Sequence, residues 1–479
     1  MKLHREILRL AVPSILANIT VPLVGMVDIA VVGHLGAVSG FSAAALIGGI
    51  SVGTMLFDLL YWNFAFLRTG TGGLTAQAYG RLKAGKVSAE NSGIGTILQR
   101  GLAIALGAGV LLIALQWVIV QLASLVVECS PEVKTLATRY FYIRIWAAPA
   151  TLSLFAFKGW FIGLQDSLRP MTADLLVNGL NILLSVALAF GFPAGLLPAM
   201  GFSGVALGTV IAQWAGLTYC LVSSRRYRPL ATKPLTLSNL WKPSVAKSNT
   251  RFEEAADTEE LSVQGYLKLN GDLFLRAVGM IAVYIGFTVL SARMGDMMLA
   301  VGSILMKLFM LFSYFTDGFA YAGEALTGRF IGQGSREGLQ STVRGTFAWA
   351  FGLAGGFMLL YGLGGVPMLG MMTSDASVVQ AGREFLPWLL LMPLTGCAAF
   401  NWDGIFIGAT ASKDLRNSTL LCAVGFFAVW LLGKTLPLTP TPEHSLHILL
   451  AAYFMHLAIR ALYLTLRYRP AVLSKTPGI

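Results

Sequence analysis

Charged side chains are scarce in this sequence. Asp, Glu, Lys and Arg make up 12% of the 479 residues, whereas hydrophobic residues make up 56%. A soluble domain carries about 25% charged residues, so this chain has too few to give several soluble domains a hydrated surface. The composition therefore predicts a polytopic membrane protein.

Cysteine and histidine are scarce as well. The four cysteines are far apart and form no CxxC pair, and there are only five histidines. Disulfide frameworks and zinc sites need closely spaced ligands, so we predict no metal centre and no cofactor. The sequence also lacks P-loop, HExxH and GxSxG motifs, which argues against ATP-driven transport and the corresponding hydrolases. We predict no catalytic residues.

Basic residues nevertheless outnumber acidic ones, giving a net charge of +12. A nucleic-acid-binding protein concentrates its basic residues on one face. Here they are scattered between long apolar runs, so we predict a lipid bilayer as the surrounding partner and no nucleic acid.

Twelve apolar runs reach the length of about 20 residues that a membrane-spanning helix needs. Because lipid cannot satisfy backbone polar groups, each run is predicted to be helical. The runs cover residues 7–32, 41–67, 94–118, 136–163, 171–193, 201–222, 265–291, 297–328, 345–366, 380–408, 417–436 and 446–466.

Lys and Arg in the loops predict the orientation of these spans. The side that holds both termini carries 23 of the 35 basic residues, and the other side carries Lys134, Arg293 and Lys434. We therefore expect a multi-pass protein of the inner (plasma) membrane with both termini in the cytoplasm.

The long polar segment 224–263 divides the chain six spans to six. We predict an N-terminal lobe over 1–223, a cytoplasmic linker over 224–263 and a C-terminal lobe over 264–479. Because each half has an even number of spans, the halves should have the same orientation. The predicted fold is all-α, with twelve transmembrane helices in two parallel six-helix lobes around a central cleft.

Two weak internal matches support this repeat. Residues 74–80 resemble residues 326–332 at an offset of 252, and residues 159–163 resemble residues 404–408 at an offset of 245. A further glycine-rich stretch at 70–73 predicts a break in the second span.

Ionisable side chains inside a bilayer are costly and are candidates for function. Asp28 lies in the first span with no basic residue within helical reach. We expect its carboxyl to carry a proton or to ligate a sodium ion. The alternative is a carboxyl that only caps or pairs with another helix.

The first span also contains Pro13 and Pro22. Proline removes a helix hydrogen bond and loosens the segment, so protonation of Asp28 could bias a bend in this helix. A static kink that only shapes packing is the alternative.

Polar side chains line one face of the fifth span, where Asn178, Asn181 and Ser185 follow one another at helical spacing. The sixth span adds Thr209 and Gln213 at i, i+4. These groups could bind a carboxyl or a hard cation, or they could serve as interhelical hydrogen bonds.

The second half carries its own polar residues. Asp272 and Arg276 are spaced for an intrahelical ion pair, and Asp317 and Glu324 share a face at i, i+7. Asp403 lies in the tenth span. Asp317, Glu324 and Asp403 are candidates for substrate contact or a second protonation site, with at least one expected to be structural. Ser185 and Gln213 of the first half are further candidates for such contacts.

Four segments of the chain carry a resemblance to the multidrug and toxic compound extrusion (MATE) family, and to its DNA-damage-inducible F branch. They are Val27–Gly36, Leu269–Arg276, Asp317–Glu324 and Trp402–Ala409, the last followed by Leu415-Arg-Asn417.

The resemblance implies a cation-coupled antiporter that exports lipophilic or cationic compounds in exchange for protons or sodium ions. It implies that Asp28 is the coupling aspartate and Pro13 the kink proline. It also implies that Asn181, with Asn178 beside it, and Thr209 belong to the cation site of the N-terminal lobe.

One position departs from the family pattern. Many members carry Asp four residues after the asparagine, where this chain has Ser185. A sodium site benefits from charge and several oxygens, so the substitution favours protons over sodium. We therefore predict a proton-coupled exporter of amphipathic or cationic small molecules. We also predict that the exporter is a monomer.

Two other classes of protein stay open. A lipid-linked oligosaccharide flippase could share the two-lobed body, but its cleft should gather cations to hold a pyrophosphate, and Lys158, Arg276 and Lys307 are scattered in the sequence. An intramembrane enzyme is the second alternative, and no catalytic constellation supports it.

Overall fold

The computed structural model describes residues 2–35, 40–127, 129–191, 199–230, 262–373, 375–435 and 441–476. Within these ranges the chain is helical and contains no β-strand. Most of the predicted cytoplasmic linker, residues 231–261, lies outside the described residues.

The described residues form fifteen α-helices. Those of the N-terminal half are α1 (Lys2–His34), α2 (Ala43–Trp62), α3 (Phe66–Lys83), α4 (Ile94–Ala114), α5 (Gln116–Val126), α6 (Pro131–Arg144), α7 (Ala148–Gly163), α8 (Leu168–Phe190) and α9 (Phe202–Ser224). Those of the C-terminal half are α10 (Val263–Ala292), α11 (Asp296–Gln333), α12 (Arg336–Met372), α13 (Ala376–Gly408), α14 (Ser412–Thr435) and α15 (Pro442–Ala471).

The twelve predicted spans are confirmed, because twelve segments of the described part of the chain are long and apolar enough to cross a membrane. Two of them are composite. Helices α2 and α3 form the second span, and α6 and α7 form the fourth through a short 3-10 turn at Ile145–Ala147. Several helices extend past their apolar runs because polar ends still satisfy their backbone within the helix. Helix α5, which follows the third span, was not predicted.

The predicted break at glycines 70–73 is wrong. The second span is interrupted earlier, at residues 63–65, where the Asn63 side chain donates a hydrogen bond to the Leu59 carbonyl at 2.7 Å. The glycines lie inside α3 and allow close packing instead. A Cβ at Gly73 would overlap the Ile407 carbonyl of the other lobe.

Each half of the chain packs as a six-span lobe. In the first, α8 packs on α1 and α9, and α7 packs on α3 and α4. In the second, α13 packs on α11 and α12, and α14 packs on α10 and α15. The lobes meet mainly where α11 contacts α1 and α3.

A glycine seam joins α7 to α3 in the N-terminal lobe. Gly159 lies against the Arg68 carbonyl, and Gly163 lies against the Gly72 carbonyl. A side chain at either glycine would overlap the backbone of α3, so the two helices pack with their backbones in contact.

The C-terminal lobe repeats this seam between α13 and α11. Gly404 lies against the Ala320 carbonyl, and Gly408 lies against the Glu324 carbonyl. All four residues are related to those of the first seam by the offsets of 252 and 245 found in the sequence. The predicted parallel repeat is therefore confirmed by equivalent contacts.

The contact between the lobes follows the same relation. Gly80 of α3 lies against the Arg329 carbonyl of α11, and Gly332 of α11 lies against the Gln77 carbonyl of α3. Such reciprocal contacts between equivalent positions are what a two-fold axis generates. An axis of approximate two-fold symmetry thus passes between α3 and α11.

Candidate functional site

The candidate coupling acid lies between α1 and α8. Asp28 is 8% exposed, and its Oδ1 accepts a hydrogen bond from Ser185 Oγ at 3.0 Å. Within the described residues Asp28 makes no direct ion pair. Ser185, the position that departs from the pattern of the resembled family, therefore supplies a hydroxyl donor to the remaining carboxyl.

A second hydrogen bond lies one helical turn from Ser185 on α8. Asn181 Nδ2 donates to Thr209 Oγ1 at 2.7 Å, and Thr209 in turn donates to the Val205 carbonyl at 3.2 Å. Asn181 and Thr209 are buried, and Asn181 Oδ1 accepts no hydrogen bond from the described part of the chain. This buried oxygen can accept a proton-bearing group or ligate a cation.

The predicted polar face of α8 continues one turn further. Asn178 Nδ2 donates to Thr20 Oγ1 on α1 at 2.5 Å. Gln213 is half-buried on α9, and the described residues give it no hydrogen bond. The structure thus brings four residues into one buried polar column: Asp28, Ser185, Asn181 and Thr209. Asn178 lies one turn of α8 before Asn181, and Gln213 lies one turn of α9 after Thr209.

Both prolines lie within the continuous helix α1. Pro13 is buried and Pro22 is exposed. Ser14 and Thr20 add side-chain hydrogen bonds to the carbonyls of Leu10 and Ala17. The hinge role of Pro13 stays a prediction.

Two charged residues near this column were missed in the sequence. Arg144 of α6 interacts electrostatically with both Asp28 and Asp58. Its guanidinium donates to Tyr140 Oη at 3.0 Å and lies 4.8 Å from the centre of the Phe57 ring. Both charges fall inside predicted spans, so the rule on intramembrane charge identifies them.

Asp58 lies on α2 and is exposed, as is Lys307 on α11 of the opposite lobe. The two side chains interact electrostatically across the space between the lobes. Asp317 also lies on α11, one turn after Tyr314, and is half-buried. Its carboxylate interacts electrostatically with three arginines: Arg68, Arg276 and Arg460. These residues place charges of both signs on the central cleft.

Asp403, in contrast, is held by two arginines. Arg276 Nη2 lies 2.6 Å from Asp403 Oδ2, and Arg460 Nε donates to Asp403 Oδ1 at 3.1 Å. Arg460 is 1% exposed. This carboxylate neutralises the buried Arg460 and the half-buried Arg276.

The predicted ion pair between Asp272 and Arg276 is wrong. Asp272 accepts from Arg416 Nη1 at 2.5 Å and from Ser412 Oγ at 2.9 Å, while Arg276 pairs with Asp403. Helical spacing reports only neighbours on the same helix, and better-placed partners come from α13 and α14.

Glu324 forms an ion pair between the lobes. Its Oε2 lies 3.1 Å from Arg68 Nη1 of α3, and Glu324 is fully buried. The Arg68 guanidinium also lies 4.4 Å from the centre of the Tyr321 ring. Glu324 therefore links the lobes, whereas Asp317 on the same face of α11 faces the cleft.

The three cations that a flippase cleft would need do not converge. Lys158 pairs with Asp174, Arg276 pairs with Asp403, and Lys307 lies across the cleft from Asp58. Two of the three positive charges are already neutralised by neighbouring carboxylates.

Two six-span lobes related by an approximate two-fold axis, with polar groups buried in one lobe and charges on the cleft, define a membrane transport protein. The MatE family model matches residues 13–187 and 274–431. The chain belongs to this family, and within it to the branch of DNA damage-inducible protein F.

Three comparisons illustrate the relationship. DNA damage-inducible protein F of Escherichia coli (strain K12) is 34% identical over 462 residues, covering 96% of this chain and 91% of that protein. Protein DETOXIFICATION 44, chloroplastic, of Arabidopsis thaliana is 23% identical over 474 residues, covering 96% and 81%. A solved multidrug resistance MATE transporter in an outward-facing conformation has a TM-score of 0.73 at 18% identity, covering 99% of this chain and 97% of that one.

Proposed function

We propose that this protein is a secondary antiporter that exports lipophilic or cationic small molecules in exchange for protons, with sodium the less favoured ion. The observation that carries the proposal is the Asp28–Ser185 pair, a buried carboxyl bonded to a hydroxyl with no direct ion pair in the described chain. Among the proteins to which the chain is similar is a transporter named for multidrug resistance.

Protonation of Asp28 would remove its charge and add an O–H donor to a group that otherwise only accepts hydrogen bonds. The Ser185 contact and the neighbouring Asn181–Thr209 pair would then rearrange, and α1 would move relative to α8. Two prolines remove backbone hydrogen bonds from α1, which lowers the cost of bending it. We infer that a proton arriving from outside drives this movement and releases substrate outward.

Acidic residues on the central cleft provide a rationale for cationic substrates. Asp58 and Asp317 lie on opposite lobes, and neither makes a direct ion pair within the described residues. A lipophilic cation could contact these acids while its apolar part packs on residues such as Trp62 and Tyr284, whose rings are 5.5 Å apart between the lobes.

The first test replaces the coupling acid. Everted vesicles containing Asp28→Asn protein should lose proton-driven export of a lipophilic cation, because the amide cannot exchange a proton. Asp375→Asn, at an exposed helix cap, should keep wild-type export and serves as the matched control. Full proton-coupled export by Asp28→Asn would remove Asp28 from the mechanism.

The second test concerns the coupling ion. Proteoliposomes carrying imposed proton or sodium gradients should show export driven by protons in the wild type. Ser185→Asp restores a second carboxylate beside Asp28 and should increase export driven by sodium, by roughly tenfold, since sodium sites strengthen with ligand charge. Ser185→Ala is the control, and equal sodium response in both variants would contradict this account of the site.

We also propose an inner-membrane location with cytoplasmic termini and a monomeric state. Reporter fusions at the C-terminus should be active on the cytoplasmic side only. Mass measurement in detergent should give a single chain, and a stable dimer would overturn the monomer assignment.

A further inference from the structure

A cavity of about 680 Å³ lies at the end of the molecule that bears the chain termini, away from the polar column and the cleft. It lies between the first two turns of α12 and the end of α15. Its polar lining consists of Arg336, Gln340, Arg344, Tyr468, Arg469 and Ser474. This volume falls within the range of about 300–1,000 Å³ that pockets for whole small molecules occupy.

The lining has three guanidinium groups and no carboxylate. Within the described part of the chain, Arg336, Arg344 and Arg469 make no ion pair. Other arginines at this end are paired, as in Arg329 with Glu6 and Arg467 with Asp414. Three cations line this cavity with no carboxylate among the described lining residues, so the cavity favours an anionic ligand.

Aromatic contacts next to the arginines hold together the helices that line the cavity. Tyr468 interacts electrostatically with Arg336 and Arg344. Its ring lies 5.1 Å from that of Trp402, which in turn lies 4.8 Å from that of Phe347 on α12. These aromatic contacts tie α12, α13 and α15 together and fix the helices that carry the arginines.

The helix faces that carry the arginines continue as apolar surface. Phe351 lies two turns from Arg344 on α12, while Leu466 and Leu462 lie one and two turns from Arg469 on α15. All three apolar side chains are exposed, Leu466 to 70%. A ligand in the cavity therefore has a polar binding site directly beside a lipid-facing surface.

We propose that this cavity binds the phosphate headgroup of an anionic phospholipid, with the acyl chains lying along the exposed faces of α12 and α15. Arginine forks match phosphate oxygens bidentately. Basic pockets beside spanning helices are suited to such headgroups. None of the residues proposed for transport lines this cavity.

The test uses the full-length protein in detergent, mixed with equal amounts of phosphatidylglycerol and phosphatidylcholine of identical chains. Native mass spectrometry counts the retained lipids. With about 1 kcal/mol expected for each basic residue near the headgroup, phosphatidylglycerol should be retained on the order of 100-fold more. The triple variant Arg336→Gln/Arg344→Gln/Arg469→Gln should lose this preference.

The matched control removes three exposed basic residues from α1, Lys2→Gln/Arg5→Gln/Arg9→Gln, and should keep the preference. If the triple cavity variant is not monodisperse, Arg344→Gln/Arg469→Gln carries the test, because both side chains are exposed. An unchanged preference in the cavity variant would overturn the site. Displacement of phosphatidylglycerol by equal concentrations of glycerol 3-phosphate would overturn the lipid assignment in favour of a free phosphate ester.

Discussion

In the N-terminal lobe, Asp28 is bonded to a hydroxyl, and Arg144, which interacts with it electrostatically, is hydrogen-bonded to Tyr140. In the C-terminal lobe, Asp403 contacts two guanidinium groups directly. Adding a proton to Asp28 replaces one hydrogen-bond arrangement by another, whereas adding one to Asp403 removes the counterion of the buried Arg460 and the half-buried Arg276. Equivalent lobes thus contain one acid suited to exchange a proton and one suited to hold the fold.

The largest expected effect comes from Asp403→Asn. Breaking a buried ion pair typically costs about 3–5 kcal/mol because it leaves an uncompensated charge, and here Arg276 and Arg460 would both lose their counterion. We expect a clear drop in the melting temperature of the detergent-solubilised protein. Asp414→Asn removes only an exposed pair with Arg467, worth about 0–1 kcal/mol. Equal drops in melting temperature in the two variants would contradict the role of Asp403 as a buried counterion.

Glu324→Gln should have the next largest effect. It removes the charge that holds Arg68 of the other lobe, and hydrogen bonds to charged groups contribute about 1.5–3 kcal/mol. The fraction of molecules in which the lobes are separated at the Arg68–Glu324 contact should rise roughly tenfold or more. Spin labels at positions 83 and 413, on different lobes, should report longer distances. Arg68→Gln/Glu324→Gln should open less than the sum of the single variants, and strict additivity would show that the pair does not couple the lobes.

The smallest expected effect is that of Asn178→Ala. Its hydrogen bond to Thr20 joins α8 to α1, and such interhelical bonds average about 0.6 kcal/mol in a membrane. Initial export rates should fall by about threefold or less. Asn63→Ala is the control, because the half-buried Asn63 amide bonds to the Leu59 carbonyl of its own helix and not to another helix. A loss as complete as that expected for Asp28→Asn would place Asn178 among the coupling groups.

The sequence was sufficient to predict the twelve spans and the internal repeat. Apolar runs had to be helices, and matches at offsets of 252 and 245 correspond to glycine seams at equivalent places. It was insufficient for the charge pairs, because spacing along one helix cannot show which residue of another helix is closer. Asp272 was therefore assigned to Arg276 although Arg416 reaches it. Asp58 and Arg144 were detectable as intramembrane charges, but only the packing of α2 against α6 relates them to Asp28.

The contact between Gly72 and Glu324 has a consequence for the ancestry of the fold. The two residues occupy equivalent positions in the two lobes, and the Glu324 carboxylate fills the space that a side chain at position 72 would need. Likewise Arg68, the partner of Glu324, corresponds to Ala320. A homodimer of half-length chains has the same residue at both positions, so it could not form this contact. Only after duplication has produced two distinct copies can they diverge enough to place an acid on one side of the axis and a glycine on the other.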